Sequence, residues 1–116
     1  MSHLINIDQI RAKNALSVTA QNAKKKGSEG DNLSGYPSLI INNGLIATIA
    51  FSLDKGKQHE RIADVIAYHL NDREILKATD AKTLRDALCN CNAFTLQQAT
   101  HEALRFLSYL KRFQRG

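Results

Sequence analysis

The sequence predicts an all-α protein, a single small bundle of about five to six helices formed by residues 1–116. Three observations carry that prediction. A chain of 116 residues with 43% apolar content holds enough material for one domain and leaves little for a second core. Only one proline and six glycines are present, so few positions interrupt a helix. The β-branched residues do not alternate with polar ones, and apolar residues recur instead at three- and four-residue spacing.

Asn6 or Asp8 can cap a first helix running through Ile10, Ala12, Ala15, Leu16, Thr19 and Ala23. That face is mostly small, which permits close helix contact. Lys24, Lys25 and Lys26 suit the negative end of the helix dipole, and Gly27 supplies a stop. Residues 27–35, GSEGDNLSG, read as a flexible polar loop. Pro37 fits the first turn of a short helix carrying Leu39, Ile40 and Ile41, and Asn42-Asn43-Gly44 breaks it. From Leu45 to Leu53 the chain is apolar on nearly all sides, which predicts a helix in the middle of the bundle, with Leu45, Ile46, Ile49 and Phe51 in the core. Asp54-Lys55-Gly56-Lys57 brings it back to the surface.

The next helix is expected over Gln58 to Leu70, with Ile62, Val65, Ile66 and His69 on one stripe and Glu60, Arg61 and Asp64 mostly facing water. After a short segment around Ile75 and Leu76, Asp80 caps a helix presenting Leu84, Ala87, Leu88 and Cys91. Thr95 with Gln98 three residues on reads as a capping box for the last helix. Leu96, Ala99, Ala103, Phe106, Leu107, Leu110 and Phe113 line one side of it, and its end is basic. No internal repeat appears, which argues against a solenoid.

The net charge of +5 favours contact with phosphates or acidic surfaces. Its distribution places the excess at the two ends. Arg11, Lys13, Lys24, Lys25 and Lys26 face the lone acid Asp8 in the first part of the chain, and Lys111, Arg112 and Arg115 follow Ser108 without an acid. Two terminal helices packed together would then offer one positive face. Lys111 and Arg112 follow directly on an apolar face, so packing would fix them relative to Lys55 and Lys57 if those helices are neighbours. Tyr109 is a candidate stacking surface for an unpaired base, and Phe113 reads as core. Such a surface holds a nucleic-acid strand with little regard to sequence.

Catalytic motifs are missing from the sequence. His59-Glu60 and His101-Glu102 would begin a zinc-protease motif only with a second histidine four residues after the first, where Ala63 and Arg105 stand. Both dipeptides read as surface residues. Gly56-Lys57 resembles the end of a phosphate-binding loop, but Phe51 and Gln58 occupy the positions that need Gly and Ser or Thr. Cys89 and Cys91, two residues apart on a helix, point about 200° away from each other and do not make a metal site. They read as reduced thiols of a cytoplasmic protein. The sequence therefore predicts no catalytic residue, no metal and no cofactor. No secretory signal follows Met1, and the uncharged stretch from Asn32 to Leu53 is broken by Pro37 and Gly44, so no membrane span is expected.

Three blocks then stand in a fixed order. Arg11-Ala12 is followed by Ala15 and Val18 in the first helix; Tyr36 and the run Asn43 to Phe51, of pattern NGLxxTxAF, precede Lys55-Gly56-Lys57; and Thr100, Glu102 and Leu104 lead to a closing LKRF at Leu110 to Phe113. In this order the blocks resemble the small subunit of the type III-B CRISPR effector, the Cmr RNA-silencing complex. The resemblance covers most of the chain and leaves 72–92 without a distinctive match. It departs where the family often has Trp before LKRF, since Tyr109 stands here.

The resemblance implies a subunit without enzymatic activity, serving antiviral defence in the cytoplasm. Copies of it self-associate in a minor filament beside the backbone subunits, meet the large subunit at the filament head, and help hold target RNA paired to guide RNA. By residue it points to Arg11, Lys55, Lys57, Lys111 and Arg112 as the RNA-facing surface, with Lys24, Lys25 and Lys26 outside the matched blocks. The residues alone also allow an independent basic helical protein that binds nucleic acid or regulates, although no helix-turn-helix pattern with a polar recognition helix supports it.

Overall fold

Six helices and no strand make up the described residues of the computed structural model, which are 6–22 and 33–115. They are α1 (Ile7–Asn22), α2 (Tyr36–Asn43), α3 (Leu45–Lys55), α4 (Lys57–Asp72), α5 (Ala81–Asn90) and α6 (Ala93–Arg115). The all-α class and the helix number are as the spacing predicts. Lys24, Lys25 and Lys26 lie outside the described residues, as do 27–32 of the expected loop. The last part of that loop is not loop-like: Leu33 and Ser34 are helical, and Leu33 is buried in the core.

Side-chain chemistry sets the helix ends. Asn6 opens α1 with a reciprocal cap, its Oδ1 accepting from the Gln9 N–H at 2.8 Å while Gln9 Oε1 accepts from the Asn6 N–H at 2.9 Å. Gly44 separates α2 from α3 at φ +91°, a backbone region that a side chain rarely enters. Asp80 caps α5 in a box with Thr83. The cap of α6 differs from expectation. Asn92 Oδ1 accepts from the Thr95 N–H at 2.7 Å, so the cap is Asn92, three residues before Thr95, and the helix starts at Ala93.

The end of α4 is closed by an unexpected residue. Glu74 adopts φ +60°, the Glu74 N–H donates to the Asn71 carbonyl at 3.0 Å, and the Ile75 N–H donates to the Leu70 carbonyl at 3.0 Å. These are the two bonds of a Schellman turn, made here without glycine.

The centre of the bundle is α4, which packs on α1, α3, α5 and α6. It buries Ile62, Ala63, Ile66, Ala67, His69 and Leu70. This corrects the central place predicted for α3, which buries Leu45, Thr48, Ile49 and Ser52 on one face and leaves Ala47 and Ala50 exposed. Small alanines let a helix look apolar all round without needing cover, whereas the hydroxyls of Thr48 and Ser52 are buried because each bonds back to its own helix, at 2.8 and 3.1 Å. Ile46 and Phe51 are half-buried. Asp64 is also half-buried, since its Oδ1 accepts from the Ala81 N–H at 2.7 Å and ties α5 to α4. Burial pushes the Asp64 carboxyl up, and that bond partly offsets the rise.

Candidate nucleic-acid interface

Glu102 is the only acid of α6 and it faces inward, 4% exposed. Its two oxygens accept from Arg11 Nε and Nη2, both at 2.8 Å, in a bidentate pair. His69 Nε2 donates to Glu102 Oε2 at 2.8 Å, and Arg73 Nε stands 3.5 Å from the same oxygen, buried and without a hydrogen-bond partner. The Asn14 amide nitrogen lies 2.9 Å from His69 Nδ1 and donates to Asp72 at 3.1 Å. An amide nitrogen that donates to Nδ1 fixes His69 as the neutral tautomer carrying its proton on Nε2. The imidazole is stacked on Phe106, with centroids 4.2 Å apart.

Burial by itself would push the Glu102 carboxyl up. Hydrogen bonds from Arg11 and His69 and the charges of Arg11 and Arg73 outweigh burial and hold it at about 2. Glu102 is therefore not the surface residue that its His-Glu dipeptide suggests. The signal for it was present, since Glu102 stands three residues after Ala99 and four before Phe106, on the apolar face of α6.

The same network fixes how α1 meets α6. Arg11 pairs with Glu102, and Asp8, one turn earlier, lies beside Tyr109, two turns later. The two helices are antiparallel. α1 thus runs away from Lys111 and Arg112 toward Asn22, and Lys24, Lys25 and Lys26, which would complete the other basic end, lie outside the described residues. Arg11, expected on the RNA-facing surface, is 9% exposed with its guanidinium shared between Glu102 and Asp8.

Lys55 and Lys57 both reach solvent at the turn between α3 and α4. Behind them lies a chain of rings. Lys55 Nζ sits 5.5 Å from the centroid of Phe51, Phe51 meets His59 edge-on at 5.5 Å, and His59 stacks on Tyr36 at 5.9 Å. Ser52 gives its proton to the Thr48 carbonyl, so the Tyr36 hydroxyl donates to Ser52 and accepts from His59 Nδ1 at 3.0 Å. Only this assignment makes all three contacts hydrogen bonds. Gly56, at φ +117°, lets α4 start without a side-chain cap, leaving the positive end of its dipole beside the two lysines.

On α6, Lys111 is half-exposed and Arg112 exposed. Tyr109 is half-buried beside Asp8, its ring 6.2 Å from Phe113. α3, which carries Lys55, rests on α2, α4 and α5, whereas α4, which begins at Lys57, packs on α6 as well. Sequence reasoning also missed Arg105 as a member of the exposed side of α6, where His101 is exposed as expected. Among the described residues no three His, Cys, Asp or Glu side chains are grouped to hold a metal ion, and no helix is long and apolar enough to cross a membrane.

A family model described as CRISPR-associated protein (Cas_Cmr5) matches residues 7–116. The X-ray crystal structure of a CRISPR-associated Cmr5 family protein from Thermus thermophilus superposes with a TM-score of 0.83 over 96% of each chain, at 23% sequence identity. At that identity the likeness establishes a shared fold. No curated protein matches the sequence.

Proposed function

The chain belongs to the Cmr5 family of CRISPR-associated proteins, and on that premise we propose that it is a non-catalytic small subunit of the type III-B Cmr ribonucleoprotein. In this role copies stack into a minor filament next to the backbone subunits, meet the large subunit, and help hold target RNA against guide RNA in the cytoplasm. The family match over nearly the whole chain is the observation that carries the reading. The exposure of Lys55, Lys57 and Arg112 and the half-exposure of Lys111 support an RNA-facing role for those four. Arg11 acts in this reading by holding α1 on α6, since its charge is already paired.

The test is a Cmr complex rebuilt with the variant Lys111→Glu/Arg112→Glu. Retention of target RNA is expected to weaken while the helix content of the subunit, read by circular dichroism, stays the same. Unchanged retention would remove these residues from the RNA-facing surface. Failure of the wild-type chain to copurify with the backbone subunits, together with tight and sequence-selective RNA binding by the chain alone, would favour an independent nucleic-acid-binding protein.

A further inference from the structure

Because the single acid of α6 is turned inward, the exposed side of this helix carries cations without a compensating charge of its own. His101, Arg105, Ser108 and Arg112 are all exposed and follow one another at intervals of four, three and four residues. Such spacing puts them in one line along the helix, rising about 16 Å. Neither Arg105 nor Arg112 forms an ion pair among the described residues.

The line borders a groove between α1 and α6 with a volume of about 620 Å³, walled by Leu104, Tyr109, Arg11 and Asp8. Asp8, its one acid, is held by Arg11 Nη1 at 2.8 Å. The wall is thus apolar or internally paired, and the rim is cationic. No exposed large aliphatic side chain lies in the line to anchor a protein partner.

We propose that this edge of α6 seats the sugar–phosphate backbone of a single RNA strand, with Arg105 and Arg112 each taking a phosphate. A guanidinium fork matches phosphate oxygens two at a time, which a lysine cannot do. Ser108 lies between the two arginines and offers a hydroxyl to the intervening ribose or phosphate, and His101 extends the line beyond Arg105. The inference rests on the RNA-holding reading above and adds to it the helix edge, Arg105 and His101.

The assembled complex is titrated with a labelled single-stranded target RNA over a series of KCl concentrations. Each phosphate contact removed lowers the slope of log K against log salt by about 0.7 for a single strand. Arg105→Gln is expected to lower it by about 0.7 and Arg105→Gln/Arg112→Gln by about 1.4, whereas Ser108→Lys, which adds a cation to the line, raises it. An unchanged slope in Arg105→Gln and Ser108→Lys, with a lowered slope in Lys55→Gln/Lys57→Gln, overturns the inference and leaves the RNA reading standing. No change in any of these variants overturns both. Loss of a protein subunit from the Arg105→Gln complex at constant slope also overturns it, by making the edge a protein contact.

Discussion

Arg11 on α1 and Glu102 on α6, 91 positions apart in the chain, meet in the interior through two parallel hydrogen bonds of 2.8 Å. The pair is surrounded by His69, Asn14 and Arg73, which belong to or directly follow α1 and α4. Three parts of the fold are thereby registered at one carboxylate. Removing one member of such a pair leaves an uncompensated buried charge, which is more damaging than the loss of the attraction itself.

Glu102→Gln is expected to lower folding stability by about 3–5 kcal/mol, because Arg11 stays buried without its counter-charge. Arg11→Met/Glu102→Leu should recover most of that loss, since it takes both charges away together. Urea denaturation of wild type, single and double variants measures the difference. Equal loss in the single and double variants would contradict a buried ionic pair.

The pH dependence follows from the carboxyl held at about 2 against an ordinary value of 4.5. A group depressed on folding contributes stability that is fully present above its unfolded pKa and is lost as pH falls through the folded one. Stability should therefore decline from about pH 4.5 toward pH 2, and Glu102→Gln should decline less steeply over the same window. Denaturant midpoints measured at several acidic pH values for both proteins read out this difference.

Gly44 holds φ +91° between α2 and α3, with open space where a Cβ would stand. Strain in the backbone and not crowding is then the cost of a side chain there. Gly44→Ala is expected to lose about 1–3 kcal/mol, seen as a lower Tm by calorimetry. Gly35→Ala serves as the control, since Gly35 has a helical φ of −87° and equally open surroundings.

Asn92 and Thr95 separate two accounts of how α6 begins. Asn92→Ala removes the side-chain acceptor of the Thr95 N–H and should cost about 1 kcal/mol. Thr95→Ala leaves that backbone N–H and its cap in place, so its effect on Tm should be smaller.

The helix positions were largely legible because they are local. Apolar spacing along α4, α5 and α6, the break at Gly44 and the cap at Asp80 all depend on residues within a turn or two of one another. Where the reading failed, more than one arrangement satisfied the same local pattern. Thr95 and Gln98 fit a capping box, yet Asn92 caps the helix. Ile46, Phe51 and the alanines of α3 look like a central helix, yet α4 holds the centre, since an apolar pattern does not say which neighbour covers it.

Charge was the least local quantity of all. By itself the sequence determined the all-α class, the helix spacing, the excess of cations and the three ordered blocks that resemble the Cmr small subunit. Tertiary structure alone decided which charges face water. It drew Arg11 and Glu102 into the interior and left Arg105 and Arg112 on one open edge of α6. The physical reason is that a buried charge needs a partner at hydrogen-bonding distance, and that partner can stand anywhere in the chain.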